Sequence, residues 1–112
     1  VPDPEEHAVT DLPSLTARLR AFAEARSWER HHTPRNLALA LAGEVGELCA
    51  ELQWVRDDAP DAWPDDLRAR VSDEVADVLI YLVRFADVCG IDPLAAAAAK
   101  IERNEARFPP LP

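Results

Sequence analysis

Apolar positions recur every three or four residues over most of this chain, which predicts amphipathic helices rather than strands. Leu15, Leu19, Phe22 and Ala23 form a first stripe. It predicts a helix from Pro13 or Ser14 to about Ser27 or Glu29, with Pro tolerated in the first turn. Thr33-Pro34 reads as an N-cap followed by Pro at the first helical position. The helix it opens carries Leu37, Leu41, Val45, Leu48 and Leu52 and continues to about Trp54 or Arg56. At ~1.5 Å per residue it spans on the order of 30 Å. A third helix is expected from about Asp65 to Cys89, stopped by Gly90. Its apolar positions are Leu67, Val71, Val75, Val78, Leu82 and Phe85, widened by Leu79 and Ile80, so burial on more than one side is expected. Asp92-Pro93 repeats the cap-then-Pro signal, and a fourth helix runs to about Arg107 before Phe108-Pro109-Pro110. The segments between are loops: Trp28 to His32, and Asp57 to Asp66 with Trp63. Residues 1–12 lack periodicity and are expected to be a loose tail, leaving residues 13–112 as a single domain. Four helices joined by short loops predict an all-α, bundle-like fold.

Composition narrows the class. The chain has 112 residues, 48% of them hydrophobic, enough for one globular core. A formal net charge of −9 argues against a nucleic-acid polymer as partner. It leaves room for a nucleotide, whose charge a metal and a few local cations can offset. No apolar run is long enough to span a bilayer and no signal peptide is visible, so a cytoplasmic protein is expected. Cys49 and Cys89 fall among apolar neighbours and are expected to be reduced core or interface residues.

Two of the predicted helices carry acids at a spacing that matters. Glu44 and Glu47 are three residues apart on the second helix, and Glu74 and Asp77 are three apart on the third. Residues at that spacing share a helix face, so each pair aims two carboxylates the same way. One such pair is common on solvated helices. Two pairs on neighbouring helices, each beside an apolar stripe, make a cluster that hard divalent cations compensate, Mg²⁺ or alternatively Mn²⁺. Glu51 extends the first face by a turn, either as a fifth acid or as plain surface. Gly43 and Gly46 beside the first pair suit close approach of a backbone or a ligand, or simple helix packing.

Other residues supply what a polyphosphate would need. Lys100, Asn104 and Arg107 share a face of the last helix, two cations with an amide between them. Cations near a helix C-terminus are also favourable without any ligand. Trp28, Trp54 and Tyr81 lie beside the acid-bearing elements and could stack a base or serve as core aromatics. His31 and His32 precede the second helix as loop residues or ligand contacts. No His stands in helical register with the acids, which argues against a ferritin-like oxidase.

Together these residues resemble a known family, the all-α, MazG-like nucleoside triphosphate pyrophosphohydrolases. The resemblance covers about Leu15 to Pro109. It rests on His32-Thr33-Pro34-Arg35-Asn36, on Gly43 to Trp54, on Asp73 to Val83, and on Lys100-x-x-x-Asn104-x-x-Arg107-Phe108-Pro109. Within the family the chain looks most like the dCTP pyrophosphatase branch, whose tryptophans and tyrosine match Trp28, Trp54 and Tyr81. A histidine that the branch carries in the first helix falls near Leu19 and Arg20 and is not present here. The resemblance implies Mg²⁺-dependent cleavage of a nucleoside triphosphate, dCTP or a modified dCTP favoured, to the monophosphate and pyrophosphate. Glu44, Glu47, Glu74 and Asp77 would hold the metal and serve catalysis. Lys100, Asn104, Arg107 and Arg35 would contact phosphates, and Trp28, Trp54, Tyr81 and His32 the base. It also implies a homodimer or homotetramer with sites near subunit interfaces, working in nucleotide-pool cleansing. A broad-specificity non-canonical NTP pyrophosphatase and a non-catalytic nucleotide- or metal-binding module are the alternatives.

Overall fold

A computed structural model describes residues 8–56 and 58–112. Among these residues there are four α-helices, two short 3₁₀ turns and no strand, so the all-α expectation holds. Helix α1 is Leu12–Ala25, α2 Pro34–Leu52, α3 Asp65–Cys89 and α4 Pro93–Arg107. The 3₁₀ turns are Glu29–His31 and Pro60–Ala62, one in each predicted loop.

Local chemistry sets most boundaries. The Asp11 carboxylate accepts from the Ser14 N–H at 2.8 Å, and the Ser14 hydroxyl accepts from the Asp11 N–H at 3.1 Å. This reciprocal cap starts α1 at Leu12, inside the stretch expected to be a tail. Of that stretch, residues 8–10 have no regular structure and residues 1–7 lie outside the described residues. Helix α1 stops at Ala25, earlier than its apolar stripe suggests. Ser27 takes a left-handed conformation, φ 54°, and donates to the Glu24 carbonyl, while Trp28 N–H donates back to Ala23 O at 2.9 Å. These paired bonds satisfy the last carbonyls of the helix and turn the chain sharply. Thr33 caps α2 by accepting from the Asn36 N–H at 3.2 Å, with Pro34 first in the helix. Asp92 caps α4 by accepting from the Leu94 and Ala95 N–H groups. Gly90, at φ 68°, ends α3 where expected.

The core is assembled from three helices. Helix α2 lies along α3, α1 packs on α3, and α4 touches the rest only sparsely. Among the described residues the buried apolar ones are Ala23 of α1, Leu37 of α2, and Leu67, Val83 and Ala86 of α3. Arg70 ties α2 to α3 by donating to Glu51 at 2.8 Å, and it also pairs with Asp66 at 3.1 Å.

Several burial expectations fail within one chain. Val45 and Val75 are exposed, and so are Leu79, Ile80 and Leu82, so the broad apolar face of α3 is not covered. Cys49 and Cys89 are free and exposed in one chain, which removes the core alternative and leaves the interface one. No atom approaches within 4 Å of where a Cβ at Gly43 or Gly46 would lie, so these glycines mark no close packing here. Among the described residues no helix is long and apolar enough to cross a membrane.

Candidate active site

The α2–α3 contact brings the two acid pairs face to face. One carboxylate oxygen from each of Glu44, Glu47, Glu74 and Asp77 lies within 4.8 Å of the others. Glu44, Glu74 and Asp77 are half-buried and Glu47 is exposed. An oxygen of Glu44 and one of Glu74 are shielded from solvent with no hydrogen-bond partner. Such oxygens are normally satisfied, so both residues hold a lone pair available to a ligand within the cluster. Lost solvation, with the charge of Glu47 behind it, raises the Glu74 carboxyl to about 6. The same two causes push Glu44 upward, with Asp77 adding to them. Four clustered carboxylates, with Glu44 and Glu74 held back from ionising, form a donor set suited to a hard divalent cation.

Beside this cluster opens a cavity of about 410 Å³. Asp77 belongs to both. From Asp77, one turn along α3 reaches Tyr81 and two turns reach Arg84, and both line the cavity. Leu15, Leu19 and Phe22 of α1 form the apolar wall opposite. The turn after α1 adds Trp28, which meets Phe22 edge-on at 5.6 Å and His32 edge-on at 6.2 Å. The backbone reversal at Ser27 is what delivers the indole to this position.

One wall of the cavity is a charged network. Arg84 is only 8% exposed. Its Nε donates to His32 Nδ1 at 3.0 Å and its Nη1 to Asp87 Oδ2 at 3.0 Å. Asp87 also accepts from Arg20 of α1, with Nε at 3.1 Å. The Arg20 bond, reinforced by the charges of both arginines, holds the Asp87 carboxyl below its ordinary range despite burial. Burial, with the Arg84 charge behind it, lowers His32 and favours its neutral form.

No family model matches the chain. It is 50% identical over 106 residues to dCTP pyrophosphatase 1 of Mus musculus, covering 93% of this chain and 61% of the relative. The Homo sapiens protein of the same name is 47% identical over the same share. The chain thus spans about three-fifths of the length of the curated relatives it matches. A pyrophosphatase of known structure from Archaeoglobus fulgidus superposes with a TM-score of 0.79 at 36% identity, covering 93% of this chain and 97% of that one. The chain belongs to the MazG-like pyrophosphatases.

Against this pyrophosphatase family, the residues singled out in the sequence fall into two groups. The four acids converge, and Trp28, Tyr81 and His32 line the adjoining cavity. Trp54 does not. Helix α2 ends at Leu52, so Trp54 leaves the helical register of Glu47; it is 84% exposed and lines a separate concavity with Trp63. Glu51 pairs with Arg70 and lies outside the group of four acids. His31 is exposed and accepts from Arg30. Arg35 is exposed in the first turn of α2, away from the cavity lining. Lys100, Asn104 and Arg107 lie on the sparsely packed α4, and none lines the cavity. Arg107 sits over the Phe108 ring instead, at 5.1 Å. The residue missed was Arg84. Its signal was its spacing, seven after Asp77 and three before Asp87, inside an otherwise apolar run.

Proposed function

We propose that this chain is a Mg²⁺-dependent nucleoside triphosphate pyrophosphohydrolase that converts a dNTP, dCTP or a modified dCTP favoured, to the monophosphate and pyrophosphate. One observation carries the reading: Asp77 joins a four-carboxylate cluster to an aromatic-walled cavity of a size that takes a nucleoside. Family membership and the name of the mammalian relatives point to the same chemistry.

In this reading Glu44, Glu47, Glu74 and Asp77 hold Mg²⁺, with Mn²⁺ as a substitute. The ion would supply charge balance for the triphosphate and for charge developing at the α-phosphorus. Trp28 and Tyr81 wall the base, and His32 offers it a polar contact. One of the four acids, or a neighbouring carboxylate, orients or deprotonates the attacking water. The product set serves nucleotide-pool cleansing in the cytoplasm.

We further propose a homodimer or homotetramer. Val75, Leu79 and Leu82 of α3, Leu94 and Ile101 of α4, and Phe108 are all exposed in one chain. Apolar surface on that scale is what a second copy would cover. A second copy would also give roles to Trp54, Lys100, Asn104, Arg107 and Arg35, which stand away from the cavity of their own chain, as base and phosphate contacts to a neighbour.

Leu19 occupies the cavity wall in α1 and is apolar, which favours a broader substrate range as the second reading. Incubation with Mg²⁺ and a panel of canonical and modified dNTPs, with separation of products, tests both. Pyrophosphate and a monophosphate are expected. Orthophosphate release would refute the reaction, and no product from any nucleotide would refute the enzyme.

A further inference from the structure

The charged wall of the cavity has a direction built into it. A nitrogen that accepts a hydrogen bond carries no proton, so His32 Nδ1, accepting from Arg84 Nε, leaves the ring proton on Nε2. Arg84 cannot reverse this bond, because a guanidinium has donors only. Nor is Arg84 free to swing away. Its Nη1 is bonded to Asp87, which Arg20 holds from the other side, and the side chain is buried. Among the described residues, neither His32 Nε2 nor Arg84 Nη2 has a hydrogen-bond partner, and both residues line the cavity. What this pair has left to offer a ligand is therefore donors and no side-chain acceptor.

We infer that Arg84, anchored by Asp87, is a positioning residue that locks His32 as a hydrogen-bond donor, and that this wall selects a base edge with adjacent acceptors, cytosine over thymine. The inference rests on the nucleotide reading above. Cytosine offers its N3 and O2 side by side as acceptors. Thymine carries a proton on N3, so any two neighbouring positions on that edge include a donor, which would face the donors of the wall. An unpaired, desolvated donor pair is the costly outcome that discrimination exploits.

Two measurements test it on the full chain. The first is the ¹⁵N spectrum of the His32 ring at neutral pH, in wild type, Arg84→Met and Arg84→Lys. The wild type is expected to show the Nε2–H tautomer, and both variants a mixture, since the lysine keeps the charge but not the Nε donor. A wild-type Nδ1–H tautomer or an imidazolium would overturn the inference, whether or not either variant folds. The second is calorimetric binding of dCMP and dTMP to wild type, Arg84→Met and His32→Phe. The preference for dCMP is expected to fall roughly tenfold in both variants, about the worth of one hydrogen bond. An unchanged ratio in a folded variant would overturn it. Selective dCMP binding by a protein that hydrolyses no nucleotide would refute the enzyme and leave this inference standing. Pyrophosphate release with no dCMP preference in wild type would do the reverse.

Discussion

Protons and a divalent cation should compete for the acid cluster, and the structure sets where. Glu74 exchanges its proton at about 6, raised first by lost solvation and then by Glu47, Glu44 and Asp77. Metal binding requires the carboxylate. With a single competing proton at that value, Glu74 is protonated in about nine-tenths of molecules at pH 5 and about a tenth at pH 7. Apparent Mg²⁺ affinity should therefore weaken about tenfold between pH 7 and pH 5. Glu44, also shifted upward, would steepen that slope. The sign for metal-free stability follows from the same shift. The folded state holds the Glu74 proton more tightly than the unfolded chain, so this contribution is full below the unfolded value of 4.5 and lost as pH rises through about 6. Added Mg²⁺ should restore stability at the upper end, by binding the folded state alone. Calorimetric titration with Mg²⁺ at pH 5, 6 and 7, in buffers of different ionisation heat, reads both affinity and proton release. Glu74→Gln should weaken binding at pH 7 and flatten its pH dependence. An affinity that does not change between pH 5 and pH 7 would refute the geometry of competing carboxylates.

Other perturbations separate the site from its support. Glu47→Ala and Asp77→Ala should each lower Mg²⁺-dependent pyrophosphate release by at least ~100-fold with helical circular dichroism unchanged, since metal ligands act as a unit. Leu37→Ala should cost about 2–5 kcal/mol in urea denaturation, because Leu37 is 2% exposed and its removal leaves a cavity between helices. Ser27→Gly should stabilise by up to about 1 kcal/mol in the same assay, relieving a left-handed conformation that disfavours a side chain, while Trp28 keeps its place.

What the sequence revealed was mostly what depends on near neighbours. Thr33-Pro34, Asp92-Pro93 and Gly90 act within a turn of themselves, and the boundaries they predict for α2, α3 and α4 match at those points. The acid pairs were legible for a related reason: three-residue spacing fixes a shared face before any tertiary contact forms. The misses each depend on something non-local. Trp54 falls within the expected extent of the second helix, but α2 ends two residues before it. Val45 and Val75 sit on apolar stripes, yet one chain supplies nothing to cover them. Asp11 falls in the expected tail because its partner, Ser14, is a polar residue with no periodic signal. Arg84 interrupts an apolar run and looks like a surface residue that strayed, until Asp87, Arg20 and His32 come together around it.

That difference also divides the site by what each part can discriminate. The carboxylate cluster is built from two local repeats and, under the proposed function, would recognise only charge and hardness, which suits any triphosphate. The cavity is built from α1, the turn behind it and α3, and its shape depends on the Ser27 reversal that places Trp28 and on the Arg20–Asp87–Arg84 chain that fixes His32. Under that reading, selectivity among bases would come from the non-local half. Leu19 sharpens the point, because an apolar side chain there leaves the cavity's donors to other residues, Arg18 of α1 and the His32–Arg84 wall among them. Substitutions in the acid pairs should then scale activity on every nucleotide alike, whereas substitutions around Arg84 should reorder the nucleotides with a smaller effect on the fastest of them.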